Sequence, residues 1–266
     1  MHLLITGAAS GIGQAVANYF LERGHAVYGV DLTETESVGN YHGFAADITD
    51  RGSLEKVRQR LLENHVRLDA ILNIAGIHEM AALVESDYAK MKRVVDVNLS
   101  GTMLVNRVFY DCLAQCGRIV IVTSEVAGFD PMPFNGLYNV TKTALDAYAQ
   151  ALRQELNLLG QKVVTIRPGA VETSLSAGSM KATQALADTT VLYRKQARNF
   201  AGLAAKFMGK PMKAEALAAL IYKATTAKHP KLIYRKHQNI GLVLLNALPK
   251  RAQCAVIKLL LRLNLA

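Results

Sequence analysis

The chain opens with a short apolar run, His2-Leu3-Leu4-Ile5, which passes straight into Thr6-Gly7-Ala8-Ala9-Ser10-Gly11-Ile12-Gly13. The next segment, Gln14 to Arg23, carries Ala15, Val16, Tyr19 and Phe20 at helical spacing. The run reads as a buried strand and the segment as an amphipathic helix. A strand that turns through glycines into a helix aims backbone N–H groups and a helix N-terminus at whatever lies above the turn. That arrangement suits a pyrophosphate. Gly7 permits the tight exit from the strand, and Gly11 and Gly13 permit close approach. The spacing is Gly-x-x-x-Gly-x-Gly, not the commoner Gly-x-Gly-x-x-Gly.

The same alternation runs along the chain. Strands are expected at residues 2–6, 26–31, 43–46, 69–74, 117–123, 162–167 and 231–234, with helices beginning near residues 11, 51, 86, 101, 137 and 213. This predicts an α/β fold: a Rossmann-type doubly wound parallel sheet of about seven strands in three αβα layers. A chain of 266 residues with 51% hydrophobic residues can bury one large core. No Pro/Gly/Ser-rich linker or repeat divides it, so residues 1–266 are expected to form a single domain.

The second apolar run ends at Asp31, eighteen residues past Gly13. An acid there can accept hydrogen bonds from both adenosine ribose hydroxyls and would repel a 2′-phosphate. No Lys or Arg lies in the glycine turn, and none follows Asp31 until Arg51. The expected cofactor is therefore NAD(H), not NADP(H).

Tyr138 and Lys142 stand four apart, one helical turn, on an apolar stretch. A phenol ordinarily titrates near about 10, too high for proton transfer at neutral pH. A neighbouring ammonium is expected to pull it down. Ser124, fourteen residues before Tyr138 at the end of an apolar run, can hold a substrate oxygen against the phenol.

Taken in order, these segments resemble the short-chain dehydrogenase/reductase family. Thr6 to Gly13 is similar to its glycine turn, Ser10 and Ile12 included. Asp47-Ile48 resembles the pair that contacts adenine. Asn73-Ile74-Ala75-Gly76 resembles its Asn-Asn-Ala-Gly motif, with Ile74 replacing the second asparagine. Asn98 resembles the helix asparagine that holds a water in the proton path, completing a tetrad with Ser124, Tyr138 and Lys142. Pro168-Gly169, followed by Val171 and Thr173, resembles the segment beside the nicotinamide carboxamide. The resemblance covers residues 1 to about 235. It implies an NAD-dependent oxidoreductase that interconverts a secondary alcohol and a ketone. In that reaction Tyr138 moves the proton, Ser124 orients the oxygen, and Lys142 also grips the nicotinamide ribose. It also implies a homo-dimer or tetramer.

Residues 174–213 are expected to form a helical lid that covers the substrate. Met180, Leu192, Tyr193, Phe200, Leu203 and Met208 suit an apolar alcohol or ketone of steroid-, retinoid- or fatty-like character. Two alternatives remain open: an NADPH-dependent 3-ketoacyl or polyol reductase, and a non-catalytic NAD-binding redox sensor. His78 reads as a loop histidine, with the substrate mouth as its other placement. Cys112 and Cys116, one turn apart, read as small apolar residues on a buried helix face. With Cys254 they form no disulfide framework, and no metal-ligand spacing appears among the histidines.

Charge is unevenly spread. From Thr189 onward fifteen Lys and Arg meet one acid, Glu215, a balance of +14, whereas residues 1–188 carry −4. Residues 238–266 alternate apolar runs with Lys250, Arg251, Lys258 and Arg262. They are expected to form a basic amphipathic helical extension, lying on an anionic membrane surface or packed on the body or a second subunit. The basic region lacks interleaved aromatics, so no nucleic-acid partner is expected. The first strand starts at residue 2 and no run of 18 or more apolar residues occurs. A reduced cytoplasmic protein, or one peripheral to a membrane, is the expectation.

Overall fold

The structure, a computed structural model, describes residues 1–207 and 210–263. Seven strands form one sheet: β1 (His2–Thr6), β2 (Ala26–Asp31), β3 (Tyr41–Ala45), β4 (Leu68–Asn73), β5 (Leu113–Val122), β6 (Lys162–Pro168) and β7 (Ile233–Lys236). Their order is β3-β2-β1-β4-β5-β6-β7, and every pairing is parallel. The order reverses between β1 and β4, and there the carboxyl ends open the crevice that parallel sheets use for ligands.

A parallel sheet needs cover on both faces, which is why its strands read as continuous apolar runs. On one side Leu4, Ile71, Ile119 and Ile121 pack with Leu54, Leu61, Val105, Phe109 and Leu145. These come from helices α2 (Arg51–Glu63), α4 (Thr102–Phe109) and α5 (Gly136–Asn157); α3 (Tyr88–Val95) lies between α2 and α4 in the chain. On the other side Leu3, Ile5, Val120 and Ile166 meet Val16, Phe20, Leu217 and Ile221. Those belong to α1 (Gly11–Leu21) and α8 (Ala214–Thr226). A third apolar cluster, including Phe134, Leu186, Ala197 and Leu261, lies under the intervening helices α6 (Ser174–Thr189) and α7 (Arg194–Phe207).

Residues 174–213, expected as a helical substrate lid, contain the two helices α6 and α7. Met208 lies outside the described residues, and so does the side chain of Met180. Strand β5 starts at Leu113, with a register shift opposite β4 between Leu68 and Ala70. Cys116 is therefore exposed on an irregular strand and not on a buried helix face; only Cys112 is buried. The C-terminal extension is not one helix. Pro249, which cannot continue a helical hydrogen-bond ladder, separates α9 (Ile240–Asn246) from α10 (Lys250–Arg262). α10 packs on α7 through Leu261, and Asn199 of α7 donates to the carbonyl of Leu261 at 3.0 Å.

Two buried arginines clamp the layers. Arg118 donates to the carbonyls of Ala224 (2.6 Å) and Ala227 (2.9 Å), tying β5 to the end of α8. Arg153 on α5 donates to the Val163 carbonyl (2.9 Å), the Thr165 hydroxyl (2.8 Å) and the Leu232 carbonyl (3.2 Å). Arg153→Met keeps the aliphatic stem but removes these bonds. It is expected to lower unfolding stability by about 3 kcal/mol, measured by urea denaturation.

Candidate active site

The glycine turn works by contact. A side-chain carbon on Gly13 would lie 1.9 Å from the Gly7 carbonyl oxygen, so only glycine lets α1 start this close to β1. Gly7 itself has φ +73° and sits against Ala75. The Thr6 hydroxyl accepts from the amides of Ile74 (3.1 Å) and Ala75 (3.2 Å), which locks the end of β4 beside the turn. The resulting cleft, about 510 Å³, is lined by Gly7, Ser10, Gly11, Ile12 and Gly13, and by Asp31, Asp47, Ile48, Ala75, Gly76 and Thr173. Asp31 is held by the N–H groups of Ala9 (3.0 Å) and Thr33 (3.3 Å). A helix N-terminus with stripped backbone N–H groups at one place and a fixed carboxylate at another fits a nicotinamide dinucleotide. Lys92 and Arg93 of α3 also line the cleft, and Lys92 is ion-paired with Asp96.

Next to this cleft, sharing Ile12, Ile74, Gly76 and Thr173 with it, opens a larger cavity of about 800 Å³. Ser124, Tyr138 and Lys142 line it. Ser124 follows β5, and its hydroxyl accepts from the Val126 N–H at 3.4 Å on the same wall as the Tyr138 phenol. The Lys142 ammonium lies 5.7 Å from the Tyr138 ring centre and donates to the Val122 carbonyl at 3.2 Å. A side-chain carbon on Gly76 would come 3.2 Å from Asn98 Oδ1 and 3.4 Å from Lys142 Nζ, so these two polar groups flank the same glycine.

Asn98 reaches this position through an irregular helix. Residues Asp96–Gly101 form a π-helical turn between α3 and α4. Its Oδ1 accepts from the Ile77 N–H (2.8 Å), and its Nδ2 donates to the Ile77 carbonyl (2.9 Å) and the Thr141 hydroxyl (3.2 Å).

The electrostatics differ from the sequence expectation. Burial pushes Tyr138 up to about 12, opposed by the nearby Ser124 hydroxyl. Burial also pushes Lys142 down to about 8. Desolvation by the apolar cavity, not the neighbouring ammonium, governs the phenol.

Not every expected residue faces a cavity. Asn73 is buried behind the cleft and donates to Asn106 at 2.8 Å. Asn98 is buried too and lines neither cavity. Pro168, Gly169 and Val171 line the larger cavity. His78, expected as a loop histidine, lies in a loop but lines the larger cavity, with its ring tilted against Tyr138 at 4.5 Å between centres and a bond to Asn135 at 2.9 Å. Burial lowers its pKa. Two residues escaped the sequence reading. Asn139, next to Tyr138, donates to the carbonyls of Val126 (2.9 Å) and Phe129 (3.3 Å), pinning the segment after Ser124 onto α5. Glu125 is a buried carboxylate on the cavity wall that accepts from the Asn239 N–H at 2.6 Å. Its burial raises its pKa. An acid directly after Ser124, at the end of the apolar run from Ile119 to Val122, was the available signal.

Three comparisons agree with this geometry. A 3-ketodihydrosphingosine reductase of Bacteroides thetaiotaomicron is 28% identical over 176 residues, 65% of this chain and 65% of that protein. An NADPH-dependent 1-acyldihydroxyacetone phosphate reductase of Schizosaccharomyces pombe is 30% identical over 179 residues, 65% of this chain and 60% of that one. The chain thus spans under two thirds of the length of both relatives. The solved structure of a 3-ketoacyl-(acyl-carrier-protein) reductase from Brucella melitensis, complexed with NADH, superposes with a TM-score of 0.70. It is 25% identical and covers 88% of this chain and 96% of that one. Residues 1–184 match the family described as short chain dehydrogenase. With the glycine turn, the parallel sheet and the cleft at its switch point in place, the chain belongs to that short-chain dehydrogenase family.

Proposed function

We propose that this protein is an NAD(H)-dependent oxidoreductase that reduces an apolar ketone to a secondary alcohol, and runs the reverse oxidation. The observation that carries this reading is that Ser124, Tyr138 and Lys142 together line an apolar cavity that adjoins the cleft.

The backbone of Gly11 to Gly13, with Asp31, Asp47, Ile48, Ala75, Gly76 and Thr173, would hold the dinucleotide. When bound there it supplies the hydride. The remaining work falls to the chain. The substrate carbonyl oxygen inserts between Ser124 and Tyr138 and takes a hydrogen bond from each. Tyr138 gives its proton to that oxygen as the carbon becomes tetrahedral. Ser124 stabilises the negative charge that develops on the oxygen. Lys142, 5.7 Å from the ring centre, stabilises as an ammonium the phenolate that this transfer leaves behind. Asn98 touches neither substrate nor phenol; it positions Ile77 and Gly76, and through them the space beside Lys142. At neutral pH the phenol holds its proton, because burial has pushed it to about 12. It is loaded as an acid, the form that ketone reduction needs.

The substrate class follows from the wall. Phe200, Leu203, Leu242, Leu245, Val256 and Leu260 line a space large enough for a long apolar molecule. The names of the two relatives both denote ketones, which supports a carbonyl substrate bearing an acyl- or alkyl-like part. The NADPH-dependent alternative also has a specific observation behind it: Lys92 and Arg93 on the cleft wall. Asp31 favours NAD(H), and Asp96 already neutralises Lys92.

Tyr138→Phe is expected to cut turnover by about a hundredfold or more while NADH binding stays nearly intact. A mutant that keeps over about a tenth of the activity removes Tyr138 from its role. Fluorescence titration should give NADH at least about tenfold tighter than NADPH, a preference that Asp31→Ala erases. Tighter NADPH binding in the wild type would favour the alternative. Lys142→Met should abolish activity yet stabilise the fold at pH 7 by up to about 3 kcal/mol, since a buried ammonium no longer has to be desolvated. That gain should be full below pH 8 and fade as pH rises from about 8 toward the unfolded value of 10.5, measured by urea unfolding across this range.

A further inference from the structure

Helix α9 poses a packing problem that the reaction does not solve. Its sequence, Ile240-Gly241-Leu242-Val243-Leu244-Leu245-Asn246, has no charge, yet none of its residues is buried. A helix that is apolar all round belongs in a core or in lipid. Leu242 and Leu245 face the substrate cavity. The opposite side, Ile240 (75% exposed), Val243 (43%) and Leu244 (66%), faces outward with nothing over it. Helix α10 continues the pattern: Arg251, Lys258, Leu259, Arg262 and Leu263 are all exposed, at spacings that bring them along one side.

Two kinds of cover can be weighed. A second copy would set two like-charged surfaces face to face: residues 238–266 hold four cations and no acid, and the chain from Thr189 onward carries +14. An anionic bilayer surface answers both features at once. The aliphatic side chains enter the headgroup boundary and the cations meet the lipid phosphates. Among the described residues no helix is long and apolar enough to cross a membrane, so the contact is interfacial.

We infer that α9 and α10 dock this protein onto the surface of an anionic phospholipid bilayer. Docking itself does not depend on the proposed reaction. Where the two readings meet, Leu244 and Leu248 belong both to the exposed surface and to the cavity wall. They form an apolar rim over which a lipid-soluble ketone passes from bilayer to cavity without crossing water.

The test uses the full chain and vesicles of phosphatidylcholine with and without phosphatidylserine, read by flotation at low and high salt. Flotation with phosphatidylserine at low salt, falling by on the order of tenfold in high salt or without the anionic lipid, is the expected result. Ile240→Ser combined with Val243→Ser, which line no cavity, should reduce flotation while NADH binding and thermal unfolding stay unchanged. Arg251→Gln, Lys258→Gln and Arg262→Gln together should remove the preference for the anionic lipid. The inference is overturned if the wild-type protein does not float at low salt, or floats equally with neutral lipid. It is also overturned if light scattering shows a dimer that the Ile240/Val243 changes dissolve. None of these outcomes bears on Tyr138→Phe turnover, so the reaction and the docking fail separately.

Discussion

The contact of Gly13 on the carbonyl of Gly7 is the constraint from which the rest of this structure follows. At 1.9 Å there is no room for even one carbon. Because α1 starts so close, its free N–H groups stand over the carboxyl end of β1 and not off to one side. The strand order reverses at that point, so β4 carries Ala75 and Gly76 to the other wall of the same cleft. Both faces of the sheet are sealed by helices, and chemistry is confined to this edge.

Inside the edge, the apolar cavity sets the electrostatics. Surrounding Tyr138 and Lys142 with hydrocarbon favours the uncharged form of each, which raises one and lowers the other. The two shifts drive apart values that start almost equal, 10.0 for the phenol and 10.5 for the ammonium, to about 12 and about 8, without any ion pair. The fold carries this cost through ties that act at a distance from the reacting atoms: Asn98 on Ile77, Asn139 on the segment after Ser124, and Glu125 on the Asn239 amide. The last joins the end of the catalytic strand to the start of α9, so the cavity floor and its outer wall are fastened at one carboxylate.

The sheet was legible in the sequence because buried parallel strands announce themselves as unbroken apolar runs. β1 and β2 matched to the residue. β5 did not, since its first residues, Leu113 to Cys116, pair around a bulge that has no pattern. Tyr138, Lys142 and Ser124 could be found from type and spacing. The burial that governs their proton affinities could not, because it comes from α7, α9 and α10, more than sixty residues along the chain. For the same reason Glu125 and Asn139 stayed hidden: their partners are backbone groups, which every residue has. The break at Pro249 was visible as a letter but not weighed against the long apolar pattern around it.

The π turn at Asp96–Gly101 carries a consequence for helical phase. It fits one more residue into its loop than an α-helix would, and each residue turns the helix by about 100°. Remove one residue there and everything downstream rotates by that angle. Val105 and Phe109, which now press on the sheet, would swing toward water. Asn106 would lose Asn73. The irregular turn is thus a gear that lets one continuous rod hold the Asn98 amide on the Ile77 backbone at one end and press hydrocarbon into the interior at the other.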